Sequence, residues 1–184
     1  MEACQEKYHY KVKEIPEHVL HHITISSTKI RHALHDGDLN TANEFLGYEY
    51  FFEGKIVEGN KLGRTLGFPT ANIEITDENK LVPGNGIYAV SVSLGEENKN
   101  ESRFISSSNH NGMMSIGVRP TIGGNNVVVE VNIFDFDKNI YNQMIRVYIK
   151  KYLREEVKFN NLEELKEQMK KDKINTLRVL NHAK

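Results

Sequence analysis

With 184 residues the chain has the usual size of one domain with a short appendage, and it is long enough to bury a core. Its 24 Lys and Arg against 25 Asp and Glu leave a formal charge of −1, so nothing in the charge balance suggests a nucleic-acid or membrane surface. The only cysteine, Cys4, excludes an internal disulfide and a multi-cysteine metal centre, and no apolar run approaches a membrane span. The opening Met1-Glu-Ala-Cys-Gln-Glu is not read as a signal peptide, and Asn100-Glu-Ser102 is taken as a chance glycosylation pattern. A cytoplasmic protein is expected.

Residues 1–47 differ in character from the rest. Six of the eight histidines precede residue 36. From Ser27 the pattern is helical: Ser27 can cap, Ile30, Ala33 and Leu34 share a face, and Gly37 can close the turn. A second short helix is expected from Leu39 to Leu46, ending at Gly47. His18, His21 and His22 lack a carboxylate pattern that would fix metal geometry and are read as solvated or packing histidines.

From Tyr48 the period becomes two. Tyr50, Phe52, Gly54 and Ile56 form one alternating set, and Tyr88, Val90, Val92 and Leu94 a second. Val127, Val129, Val131 and Ile133 form a third, with Ile145, Val147 and Ile149 a fourth. Residues 77–80, 95–102, 109–112 and 123–126 read as turns or loops. Short strands without intervening helices predict a mainly β protein, an antiparallel closed or nearly closed barrel. The end is helical: Asn160 or Asn161 can cap, Glu163 and Glu164 suit the first turn, and Leu162, Leu165, Met169, Leu177 and Leu180 form a stripe expected to pack on the barrel.

The most informative segment is Gly54-Lys-Ile-Val-Glu-Gly59 followed by Gly63-Arg64-Thr65-Leu66-Gly67-Phe68-Pro69-Thr70-Ala71-Asn72. Glycines admit close backbone approach to a bound group, and Arg64 adds a permanent charge with a fork of donors. Thr70 and Asn72 offer neutral oxygens of the kind Mg²⁺ accepts, on one face if the segment is extended. A Mg-nucleotide phosphate site and a Gly/Pro loop feeding a strand are equally compatible with this chemistry. The run Gly59 to Thr65 is one residue short for a P-loop and has Arg for Lys; Gly84-Asn-Gly86-Ile-Tyr-Ala89 opens a strand, not a dinucleotide-binding helix. Glu130 lies in an otherwise apolar strand, where it is either an outward-facing glutamate or a group with chemical work.

The order of these blocks closely resembles riboflavin kinases, especially the kinase half of bacterial bifunctional FAD synthetases. Besides G-x-V/I-x-x-G and G-R-x-L-G-F-P-T-A-N-I, Gly86-Ile-Tyr88-Ala is similar to the family's G-V/I-Y-A strand. Ser115-Ile-Gly117-Val-Arg119-Pro120-Thr121 is similar to I-G-x-R-P-T. Glu130-Val-Asn132-Ile-Phe-Asp135-Phe-Asp137 with Tyr141 resembles the E-x-H-x-x-D-F segment, and Tyr152-Leu-Arg154-Glu155 the final L-R-x-E. The resemblance covers residues 48 to 180 and implies a Greek-key barrel with a C-terminal helix, residues 48–184, behind a helical appendage, residues 1–47.

By the same resemblance the substrates are ATP and riboflavin, the products FMN and ADP, and the metal Mg²⁺. Gly59, Gly63 and Arg64 would surround the phosphates, Thr70 and Asn72 would contact Mg²⁺ and nucleotide, and Glu130 would accept the proton of the ribityl 5′-hydroxyl. Asn132, which replaces the usual His, Tyr141 and Arg154 are candidate flavin contacts, although Arg154 could instead pair with Glu155 or Glu156. Asp135 and Asp137 either edge the site or make a hairpin turn, and Arg119 is expected in a structural barrel turn. Partners would be small molecules, with no nucleic acid or membrane, and the protein a monomer or weak self-associator. Ile25-Ser-Ser27-Thr28-Lys-Ile-Arg31 is similar to a segment near the end of the adenylyltransferase half, so residues 1–47 are expected to be a remnant unable to make FAD. The alternatives are a non-catalytic flavin-binding module, or a fragment of a bifunctional enzyme lacking its adenylyltransferase half.

Overall fold

The computed structural model describes residues 19–20, 23–59, 62–77, 79–98, 103–121 and 124–182; Cys4, His18, His21 and His22 lie outside them. Two short paired strands, β1 (Val19–Leu20) and β2 (Ile23–Thr24), precede helices α1 (Ser27–His35) and α2 (Leu39–Leu46). Next come β3 (Phe51–Val57), the short α3 (Leu62–Thr65), and β4 (Ala71–Glu74). Then follow β5 (Gly86–Asn98), β6 (Arg103–Thr121), β7 (Gly124–Ile133), β8 (Met144–Arg154) and α4 (Leu162–His182). No helix among the described residues is long and apolar enough to cross a membrane.

Strands β3 to β8 close into an antiparallel barrel in the order β3-β4-β7-β6-β5-β8. Strands β5, β6 and β7 run as consecutive hairpins and β8 returns beside β5, which is the Greek-key arrangement. The alternating sets seen in the sequence point inward: Phe52, Ile56, Tyr88, Val90, Val92, Val129, Val131, Ile145, Val147 and Ile149 are all buried. Val127 departs from its set and is 54% exposed, because it lies near the turn end of the β6–β7 hairpin. On the outer wall, cross-strand neighbours Glu53 and Arg146 form an ion pair, and Phe51 stacks against Tyr148 at 5.5 Å between ring centres.

Three local expectations are corrected. The cap of α1 is Ser26, not Ser27, since the Ser26 hydroxyl accepts from the Lys29 N–H at 3.3 Å. The stretch 109–112 is no turn but the middle of β6, paired with Val90 to Ser93 of β5; its polar residues sit on a barrel wall where alternate side chains meet solvent. Likewise β5 runs on to Asn98 and β6 begins at Arg103, so residues 95–98 are strand, while residues 99–102 lie outside the described set.

The two leading helices join the barrel core. Leu34, Leu39 and Ala42 pack in the same buried cluster as Tyr50, Phe52 and Ile56. Polar ties add to this contact: Asn43 Oδ1 accepts from the Tyr50 N–H at 2.7 Å, and Leu34 O from the Gly84 N–H at 3.2 Å. At the other end α4 starts with a reciprocal cap. Asn161 Oδ1 accepts from the Glu164 N–H at 2.9 Å, while Glu164 Oε2 accepts from the Asn160 N–H at 3.1 Å.

Candidate active site

Strand β4 organises the site. It is short, pairs with β3 and β7, and follows the loop of residues 62–70. The loop turns on itself at α3, where the Phe68 N–H donates to Gly63 O at 2.8 Å. Asn72 pairs in register with Glu130 of β7, and Glu130 with Ser115 of β6, so three strands bring these residues side by side. A side chain on Gly59 would meet the Asn72 carboxamide, which would have to shift to admit it, so glycine there lets the backbone lie directly over Asn72.

Two cavities meet at Thr70, which lines both. The first, about 620 Å³, lies between β6, β7 and α4. Leu66, Met113, Met114, Phe159, Leu165 and Met169 give it apolar walls, while Glu130, Asn132 and the Arg154–Asp172 pair supply polar groups. The second, about 520 Å³, lies on the other side of the 69–71 backbone and is lined by Arg64, Pro69, Asp137, Lys138, Asn139 and Tyr141. Both volumes suit small-molecule ligands.

Burial raises the Glu130 carboxyl above the usual range; the Arg119 charge counters this, and Glu156 adds to it. Glu156 lies along one face of β6. It accepts from the Ser115 hydroxyl at 3.3 Å and pairs with Arg119 at 3.5 Å, and its carboxylate occupies the space a side chain on Gly117 would need. Arg119 therefore sits at the cavity margin in an ion pair, besides its place at the end of β6.

Of the expected site residues, Glu130, Asn132, Arg154, Gly63 and Thr70 border the first cavity, and Arg64, Thr70 and Tyr141 the second. Asn72 borders neither; it lies beneath Gly59 and beside Glu130. Tyr141 is thus on the opposite side of Thr70 from Glu130. The Arg154 partner is neither Glu155 nor Glu156 as a side chain: its guanidinium donates to Asp172 Oδ1 at 3.0 Å and Oδ2 at 2.6 Å, and to the Glu155 carbonyl at 2.7 Å. The Asn132 Nδ2 donates to Pro69 O at 2.6 Å. Asp135, at φ +52°, makes a turn and faces Lys173 at 3.6 Å, whereas Asp137 borders the second cavity.

The family model described as Flavokinase: Riboflavin kinase matches residues 46–180. The chain belongs to the riboflavin kinase family. It is 40% identical over 172 residues to the bifunctional riboflavin kinase/FMN adenylyltransferase of Haemophilus influenzae, an alignment covering 94% of this chain and 52% of that protein. Against the corresponding Bacillus subtilis protein the identity is 38%, over 87% of this chain and 48% of the relative. The chain thus spans about half the length of the curated relatives it matches. Among solved structures, a macrolide-efflux protein from Streptococcus pneumoniae superposes with a TM-score of 0.75 at 34% identity, covering 88% of this chain and 49% of that one.

Within this riboflavin kinase fold, the residues the sequence did not announce are those of the first cavity's far wall. Met113, Met114, Phe159 and Asp172 border it, and so do Leu165 and Met169, which had been expected only to pack on the barrel. Phe159 is the aromatic that local sequence gave no reason to single out. A helical stripe facing a cavity and one facing a core have the same period, so hydrophobic spacing does not separate them.

Proposed function

We propose that this chain transfers the γ-phosphoryl group of ATP to the ribityl 5′-hydroxyl of riboflavin, giving FMN and ADP. The observation that carries this is Thr70 standing at the junction of two ligand-sized cavities, with Glu130 and Asn72 paired beside it. The first cavity, wide and walled by methionines, leucines and Phe159, suits a fused ring system; the second, bordered by Arg64 and Lys138, suits a nucleotide. Glu130 then lies on the flavin side of the junction. Its carboxylate accepts the 5′-hydroxyl proton as that oxygen forms its bond to the γ-phosphorus; the bond to the β–γ bridging oxygen breaks and ADP leaves. The raised proton affinity of Glu130 suits a group that must take up a proton.

Among the described residues no cluster of three His, Cys, Asp or Glu side chains could hold a metal. The donors whose chemistry fits Mg²⁺ are the neutral oxygens of Thr70, just before β4, and of Asn72 within it. When bound with the nucleotide, the ion would neutralise phosphate charge. Arg64, exposed at the edge of the second cavity, supports the same phosphates, while Gly63 borders the first cavity and Gly59 packs on Asn72.

Chromatography of riboflavin incubated with ATP, Mg²⁺ and the purified chain tests the reading: FMN and ADP should accumulate together. Glu130→Gln keeps the shape but cannot accept the proton, and should lower turnover roughly 10²–10⁴-fold. Near-normal turnover in a folded Glu130→Gln protein would remove Glu130 from the mechanism.

A further inference from the structure

Asn132 is a buried polar side chain, 5% exposed, on β7 between the core residues Val131 and Ile133. Its Nδ2 spends a short bond, 2.6 Å, on a backbone carbonyl that is not part of the barrel ladder, that of Pro69. The ladder between β4 and β7 pairs Ala71 with Val131 and Asn72 with Glu130, so continuing it by one residue would set Thr70 opposite Asn132. Strand β4 begins only at Ala71. The Asn132 carboxamide therefore acts as a side-chain rung just past the end of the backbone pairing.

That rung has a specific consequence. The Pro69 carbonyl and the Thr70 nitrogen belong to one planar peptide unit, so fixing the carbonyl fixes the plane from which Thr70 departs. The Asn132 amide is itself buried, and without that carbonyl it would lose its acceptor, at a cost of about 1–3 kcal/mol. We propose that Asn132 is a positioning residue that sets the Thr70 hydroxyl between the two cavities by holding the Pro69–Thr70 peptide to β7. The inference rests on the reading of Thr70 as a Mg²⁺-nucleotide ligand. An amide suits the task because it donates at every working pH, whereas a carboxylate at this place would repel the carbonyl.

Calorimetric titration of the full chain with ADP, with and without Mg²⁺, tests this apart from turnover. In Asn132→Leu the gain in ADP affinity on adding Mg²⁺ should shrink about tenfold or more, as for other outer residues that orient a metal ligand, while ADP alone binds as before. Asn132→Asp gives a second donor-free comparison should Asn132→Leu fail to fold. Asn132→His restores a ring N–H donor and should recover most of the gain. A purely structural role would lower thermal stability in the donor-free variants yet leave the Mg²⁺-dependent gain intact, and that result overturns the inference. Thr70→Val separates the two levels: loss of the gain there but retention in Asn132→Leu and Asn132→Asp rejects the positioning role alone. Retention in all three rejects the assignment of Thr70 itself.

Discussion

Tyr50 and Tyr88 show how single residues tie the barrel to the connection that leads into β5. Both rings are buried in the core, and both hydroxyls donate to backbone carbonyls, Tyr50 to Leu81 O at 2.6 Å and Tyr88 to Gly84 O at 2.5 Å. Burial pushes both phenols up; Tyr50 rises from 10.0 to about 12, helped by the negative charges of ionised Tyr48 and Asp77. The folded state thus keeps a proton that the unfolded chain releases. The stabilising contribution of Tyr50 is complete below pH 10.0 and is lost as pH rises toward about 12. Tyr50→Phe should therefore cost about 1 kcal/mol at neutral pH through the lost hydrogen bond, yet lose stability less steeply in alkali. Urea unfolding across neutral to alkaline pH measures this, and parallel slopes for the two proteins would show that Tyr50 ionisation is not coupled to folding.

At the scale of one element, α4 is held by an ion pair as well as by apolar contact. Its inward face runs through Leu165, Met169, Asp172, Thr176 and Leu180; Asp172 and Thr176 are buried, while Leu162 is 53% exposed. Hydrophobic spacing made the helix, its cap and the inward Leu165, Met169 and Leu180 legible in the sequence, but not Asp172 and Thr176, the two polar residues on the same buried side. Asp172 is there for Arg154 of β8, with Gln168 donating to it at 2.9 Å as well. Such a pairing, eighteen residues apart, leaves no local mark. Asp172→Asn should cost about 1–3 kcal/mol, less than for a fully enclosed pair because Arg154 keeps 23% of its side chain exposed. It should also raise the riboflavin KM more than the ATP KM, since Leu165 and Met169 wall only the first cavity. Thermal unfolding with substrate-dependent kinetics checks both, and equal changes in the two KM values would count against a role for the pair on the flavin side.

For the whole molecule, the barrel was legible because inward residues of four strands alternate, from Phe52 through Ile149, with Val127 the exception. The site loop was legible because its glycines, Arg64 and Thr70 are contiguous; the far cavity wall was not, being assembled from β6, the segment after β8 and α4. The helices before the barrel were read by their own period as an appendage, since sequence spacing does not reveal what a helix packs against. Their buried residues nonetheless continue the barrel core, with Leu34 1% exposed beside Tyr50 and the strand interior. If that packing is part of one cooperative unit, a cavity made in α1 must destabilise strands distant in sequence. Leu34→Ala should lower stability by about 2–5 kcal/mol, the range for removing a large buried side chain, with a single unfolding transition seen equally by helical and aromatic signals. A Leu34→Ala protein in which the helical signal is lost at lower denaturant, while the barrel unfolds at the wild-type midpoint, would show that the helices are an independent layer. In that case the hydrogen bond from Gly84 to Leu34 O would be a surface tie, and α1 and α2 would contribute nothing to the stability of the barrel that carries the site.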